Sequence, residues 1–125
     1  MSVPLLFDTN VLIEYLRGRQ DAQVFLGAQD EEPHVSAGSV LELYAGFKSR
    51  REEQSGERLL KEARILPVTH DIAQRAGVLS RIFAASHVLD DIDAIIAATA
   101  EHHGLRLATL NVKHYPMFPK LKRAY

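Results

Sequence analysis

The chain has 125 residues, 46% hydrophobic and 25% charged, enough apolar material for a core and too much for intrinsic disorder. A net charge of −1 and a pI near 6.6 exclude a strongly basic nucleic-acid coat protein, though not an enzyme that grips a few phosphates. There is no cysteine, so disulfides and thiolate metal sites are excluded. In chain order, the short apolar run 3–7 predicts a buried strand that stops at Asp8. A helix over 10–17 follows, with Val11, Leu12, Tyr15 and Leu16 at helical spacing and Gly18 as its stop. A short helix over 21–28 precedes a second strand at 33–36. Ser39 is expected to open a helix over 39–51, and 55–63 continue as helix. Residues 65–68 read as a third strand, with Pro67 marking its end. A helix is expected over 71–86, a connector at 87–89, a helix over 91–103 ending at Gly104, and a fourth strand over 105–109. The proline-containing tail reads as irregular.

This alternation predicts an α/β fold, a mostly parallel sheet of four or five strands covered by helices on both faces. In such sheets ligands sit beyond the carboxyl ends of the strands, where Asp8 falls. One domain over 1–125 is expected. No leader pattern is visible in the opening residues and no apolar run is long enough to span a bilayer, so the expected location is the cytoplasm, without a membrane partner. Two basic clusters, Lys48 with Arg50 and Arg51, and Lys113, His114, Lys120, Lys122 and Arg123, read as solvated surface.

Three carboxylates carry the chemistry. Each has an ordinary structural explanation. Asp8 fits a helix N-cap, worth ~1 kcal/mol. Glu42 fits a capping box with Ser39, of the form S-x-x-E. Asp93 sits in the first turn of a helix that Asp90 can cap, where its charge meets the positive pole. Yet each lies near a helix start and each is able to face one crevice. Carboxylates crowded at one rim cannot all ionise comfortably without a cation. Mg²⁺ sites rest on one or two carboxylates with water and phosphate, so metal-assisted phosphodiester cleavage is the leading expectation. Thr9 and Asn10 flank Asp8. Thr109 and Asn111, just past the fourth strand, are placed to donate to a carboxylate or order a water. His114 reads as a ligand, a general acid or a phosphate contact. His102 and His103 face the negative pole of their helix.

These strings resemble the PIN-domain ribonucleases, and among them the VapC-type toxins of toxin–antitoxin pairs. Leu6-Phe7-Asp8-Thr9-Asn10 is similar to the family's opening D-T-N strand, and Glu42-Leu43 to its second acidic position. The stretch from Asp93 to Ala100 is similar to D-x-x-I-A-A-T-A, and that from Ala108 to Tyr115 to its last strand and loop. The resemblance implies a Mg²⁺- or Mn²⁺-dependent endoribonuclease that cuts RNA with a metal-activated water. It implies Asp8 and Asp93 as metal ligands, Glu42 as a further acid and Asn111 as a water-orienting residue. It also implies a homodimer and a cognate antitoxin that covers the site. Many members carry a fourth acid in the last loop, where this chain has Asn111 and His114. The alternatives are a catalytically silent RNA- or protein-binding module, and a haloacid-dehalogenase-like phosphatase. The latter is disfavoured because Asn10 stands where its second aspartate belongs.

Overall fold

The computed structural model describes residues 3–83 and 89–125 of the chain. Its strands are β1 (Leu5–Phe7), β2 (His34–Ser36), β3 (Arg64–Leu66) and β4 (Arg106–Ala108). They form one sheet in the order β3-β2-β1-β4, with every neighbouring pair parallel. Helices α1 (Thr9–Leu16), α2 (Gln20–Gly27), α3 (Ala37–Gly46), α4 (Arg50–Lys61), α5 (His70–Phe83) and α6 (Asp91–His103) connect them. No helix among the described residues is long and apolar enough to cross a membrane.

Alternation along the strands divides the core. Leu6, Leu66 and Leu107 point to one face, where they meet Ile72 and Leu79 of α5 and Ile96 and Ala97 of α6. Phe7, Val35 and Ala108 point to the other, against Val11, Leu12 and Leu43 of α1 and α3. Each fully buried Leu, Ile or Phe contributes roughly 1.5–3 kcal/mol. The helix α6 is buried at Ala94, Ile96, Ala97, Ala98, Thr99 and Ala100, and its small residues let α5 and the sheet approach closely. Covering both faces leaves the strand ends as the open rim.

Most predicted elements appear with shifted ends. The expected helix over 39–51 is replaced by α3, which begins a residue after Ser36. The Ser36 hydroxyl accepts from the Gly38 N–H at 3.0 Å, so Ser36 rather than Ser39 is the cap. The chain breaks at 47–49 and α4 starts at Arg50, earlier than the expected 55. Here the Ser49 hydroxyl accepts from Glu52 N–H at 3.1 Å, and the Glu52 carboxylate accepts from Lys48 N–H at 2.7 Å. Ser49 is thus the cap of α4, while the Glu52 side chain reaches one residue further back than in a capping box, to Lys48. Phe47 lies over Gly56, where a Cβ would collide with the ring. Gly18 and Gly104 end α1 and α6 with φ of +77° and +63°, the left-handed conformation that glycine adopts freely. The expected strand over 65–68 is one residue early and shorter. The last residues of the expected helix over 71–86, and most of the connector at 87–89, lie outside the described residues.

Candidate active site

Three elements bring the acids to the rim. Asp8 follows β1 and caps α1, its Oδ1 accepting from Thr9 N–H at 2.8 Å. The cap explanation is therefore correct for one oxygen. The other, Oδ2, accepts from the Thr109 hydroxyl at 2.8 Å and from the Tyr115 hydroxyl at 2.8 Å. Asp8 is only 4% exposed. Burial raises its carboxyl above the ordinary range, against the pull of the Thr109 and Tyr115 hydroxyls, the Thr9 N–H and the nearby His114.

Asp93 is 7% exposed in the first turn of α6. Its N–H donates to Asp90 Oδ1 at 2.8 Å, and Asp90 N–H donates back to Asp93 Oδ2 at 3.4 Å. This capping box does not exhaust the side chain. Asp93 Oδ1 lies 3.3 Å from the Tyr115 hydroxyl, whose one proton goes to the nearer Asp8 Oδ2, and Asp93 Oδ2 lies 3.1 Å from His114 Nδ1. A carboxylate only accepts, so Nδ1 is the protonated ring nitrogen in that contact. Burial, then the charges of Asp90 and Asp8, push Asp93 up to about 6.

Tyr115 joins the two acids. Its ring is buried, and its single hydroxyl lies within hydrogen-bond distance of both carboxylates. Desolvation, with two carboxylates alongside, pushes its pKa far up, so it stays a donor at every physiological pH. Sequence reasoning placed Tyr115 in the last-loop pattern without a role. An aromatic with a polar tip directly after His114 was the available clue.

Glu42 arrives by a different route. Its Oε1 accepts from the Thr9 hydroxyl at 2.6 Å, and Thr9 Oγ1 lies 2.9 Å from the Ser39 hydroxyl. Thr9 has one hydroxyl proton and the carboxylate takes it, so Ser39 turns its own proton toward Thr9. Ser39 and Glu42 do belong together, but through Thr9 and not as a cap. Burial raises the Glu42 pKa, opposed by the Thr9 hydroxyl and aided by Asp90 and Asp8. Glu42 is half-buried and also lines a cavity of about 280 Å³ shared by Ile13, Leu16, Gly46, Phe47 and Lys48. Gly46, with no side chain, leaves open space on this face of α3.

Asn111 is brought to the rim by its backbone. Its N–H donates to Thr109 Oγ1 at 3.0 Å, while the residue is exposed and makes no side-chain cap to the 3₁₀ turn at Val112–His114. Asn10 is a strut: its amide lies 3.4 Å from both Asp8 Oδ2 and Thr109 Oγ1, and its oxygen accepts from Leu110 N–H at 3.2 Å. Position 10 therefore supplies an amide that braces Asp8 and Thr109 and not the second carboxylate that the phosphatase alternative needs.

Among the described residues, no three His, Asp or Glu side chains form a ready-made metal cage. What the site offers is a pair of hard oxygen donors, Asp8 and Asp93, with Glu42 held back by Thr9. Asp8 Oδ1 and Asp93 Oδ1 each have at most a single hydrogen-bond donor and retain capacity. Such a pair fits a small divalent ion that keeps several waters.

The fold and this rim place the chain in the PIN domain family, which matches residues 5–117. It is similar to Ribonuclease VapC10 of Mycobacterium tuberculosis, 42% identical over 121 residues that cover 94% of this chain and 90% of that one. It is also similar to Ribonuclease VapC19 of the same organism, 38% identical over 124 residues, 96% and 98% of the two chains. A chain in a toxin–antitoxin complex from Klebsiella pneumoniae superimposes with a TM-score of 0.82 at 34% identity, covering 98% of both.

Proposed function

We propose that this chain, as one PIN domain, is a divalent-metal-dependent endoribonuclease, the toxin of a toxin–antitoxin pair. The observation that carries the reading is the pairing of Asp8 and Asp93 through one Tyr115 hydroxyl at the strand ends. The similarity to ribonucleases VapC10 and VapC19 supports the substrate class. Asp8 and Asp93 hold the ion. A bound Mg²⁺ or Mn²⁺ supplies Lewis-acid activation of a water and of the scissile phosphate.

The chain's own residues do the rest. Thr109, Thr9 and Tyr115 fix the plane of the Asp8 carboxylate. The Asp90 capping box and His114 fix that of Asp93. Glu42, the most accessible of the three acids, takes the proton that the attacking water gives up. Asn111 at the rim orients that water. In-line attack leaves a 5′-phosphate and a 3′-hydroxyl, and the RNA 2′-hydroxyl is not consumed. RNA preference then comes from shape and unpaired bases. The chain acts in the cytoplasm as a homodimer. A segment of its antitoxin fills the cavity beside Glu42, lined by Ile13, Leu16, Leu43 and Phe47 and by Arg17, Lys48 and Glu52, and closes access to the acids.

The test is cleavage of a mixed structured RNA pool by purified protein in Mg²⁺ or EDTA, with Asp8→Asn and Asp93→Asn in parallel. Fragments that need Mg²⁺ and disappear in both variants support the reading. Undiminished cleavage in either variant overturns the ligand assignment, and RNA binding without cleavage favours the catalytically silent alternative.

A further inference from the structure

The C-terminal segment forms a second feature that the acidic rim does not use. From Tyr115 the chain turns at Phe118 and again at Leu121, where each N–H donates to the carbonyl three residues earlier. It then returns along β4, the edge strand of the sheet. Ala124 N–H donates to the Thr109 carbonyl at 2.8 Å, and the Tyr125 ring packs on Phe25 with centroids 5.7 Å apart. The segment is therefore fastened at the residue whose hydroxyl holds Asp8.

Between β4 and this segment lies a cleft of about 270 Å³, lined by Leu5, Arg106, Lys120, Lys122 and Arg123 among others, and by no carboxylate side chain. Arg123 Nε donates to the Tyr125 carbonyl at 3.3 Å. Arg106, Lys120 and Lys122 are exposed and have no carboxylate partner within 4 Å among the described residues. Three uncompensated cations thus flank one cleft on a chain whose net charge is −1. From Arg106 to Thr109 the strand direction spans ~10 Å.

We propose that this cleft is a docking track for the phosphate backbone of single-stranded RNA, running from Arg106 along Lys120 and Lys122 to the acidic rim at Thr109. The proposal rests on the ribonuclease reading and adds where the substrate is held outside the acids. A positive track leading to a negative rim solves a problem of that site. The acids repel RNA phosphates, and cations a short distance away hold the strand while its scissile phosphate approaches the bound ion.

The test uses full-length Asp8→Asn protein, Mg²⁺ and a short unstructured RNA carrying fluorescein, with binding read by anisotropy over a series of KCl concentrations. The triple substitution Arg106→Gln, Lys120→Gln, Lys122→Gln is expected to weaken binding about tenfold at low salt. It should flatten the dependence of log K on log salt by roughly 2, at ~0.7 per phosphate contact. A control pair on other faces, Lys61→Gln with Arg81→Gln, should change neither. If the triple variant melts below the parent, Lys122→Gln alone carries the test with a flattening of ~0.7. An unchanged slope in the variant, or equal loss in the control, overturns the track. So does displacement of RNA by polyglutamate more readily than by unlabelled RNA, which would mark an acidic protein as the occupant. Cleavage of the same RNA by the unsubstituted protein separates the two readings. Cleavage with an unchanged slope sinks the track alone, whereas neither cleavage nor binding sinks both.

Discussion

The starts of α3 and α6 carry almost the same local pattern, a small polar residue three positions before an acid, and they end differently. At α6 Asp90 and Asp93 form their capping box, and Asp93 still reaches Tyr115 and His114 with its remaining lone pairs. At α3 the matching pair, Ser39 and Glu42, forms no box, because the helix has already begun after Ser36. Both side chains turn instead to Thr9 on α1. A capping motif therefore fixes a carboxylate only where it coincides with the first turn. Elsewhere the same residues are free to be recruited by a distant element. In consequence Asp93 is held at several points and joined to Asp8 through Tyr115, while Glu42 hangs on one hydroxyl.

That contrast ranks the expected effects. Asp8→Asn or Asp93→Asn should lower Mg²⁺-dependent RNA cleavage by about a hundredfold or more, the scale of losing a preorganised charge at a reacting phosphate. EDTA should do the same to the parent protein, and quantified fragments on a denaturing gel check both. Next is Tyr115→Phe, which leaves two buried carboxylates without their shared donor. Loss of such a bond costs about 1–3 kcal/mol, so the metal-free melting temperature should drop by several degrees in scanning calorimetry. Saturating Mg²⁺ should restore most of the loss if the ion takes over the task of holding the acids together.

Glu42→Gln should have a smaller effect, about tenfold on cleavage, with unchanged or slightly raised stability, since it removes a charge near Asp8 and Asp90. If Glu42 were only the acid of a capping box, glutamine would serve as well and both stability and activity would be unchanged. Ser49→Ala makes the converse case: it should cost ~1 kcal/mol by losing the α4 cap and leave cleavage intact.

The smallest effect concerns pH. Asp93 is raised from 3.8 to about 6, so between those values the folded chain keeps a proton that the unfolded chain has released. Metal-free stability should therefore fall as pH rises from about 4 to about 6 and level off above. The Mg²⁺-induced rise in melting temperature should accordingly be larger at neutral pH than near pH 5, as a pH series of melting curves would establish.

Legibility from sequence followed the range of the interactions. The helix α6 was read almost to the residue because its two ends, Asp90 and Gly104, are both set by neighbours along the chain. Asp8, Glu42 and Asp93 were named as candidates because each lies near a helix start in a recognisable string. Two serines compete for the start of α3, and only packing against α1 decides between them. Tyr115 meets Asp8 across 107 positions, and no local pattern reports that contact. Asn111 is anchored just past β4 by its main chain, through its N–H to Thr109, which a one-letter code does not display.

Gly56 shows how far control of the rim extends. It belongs to α4, away from Asp8, Glu42 and Asp93, yet it is the floor on which Phe47 rests, and Phe47 is a wall of the hollow beside Glu42. Adding a single methyl there would evict the ring and reshape the hollow while Asp8 and Asp93 stayed where they are. The shape of that hollow can thus change independently of the two aspartates.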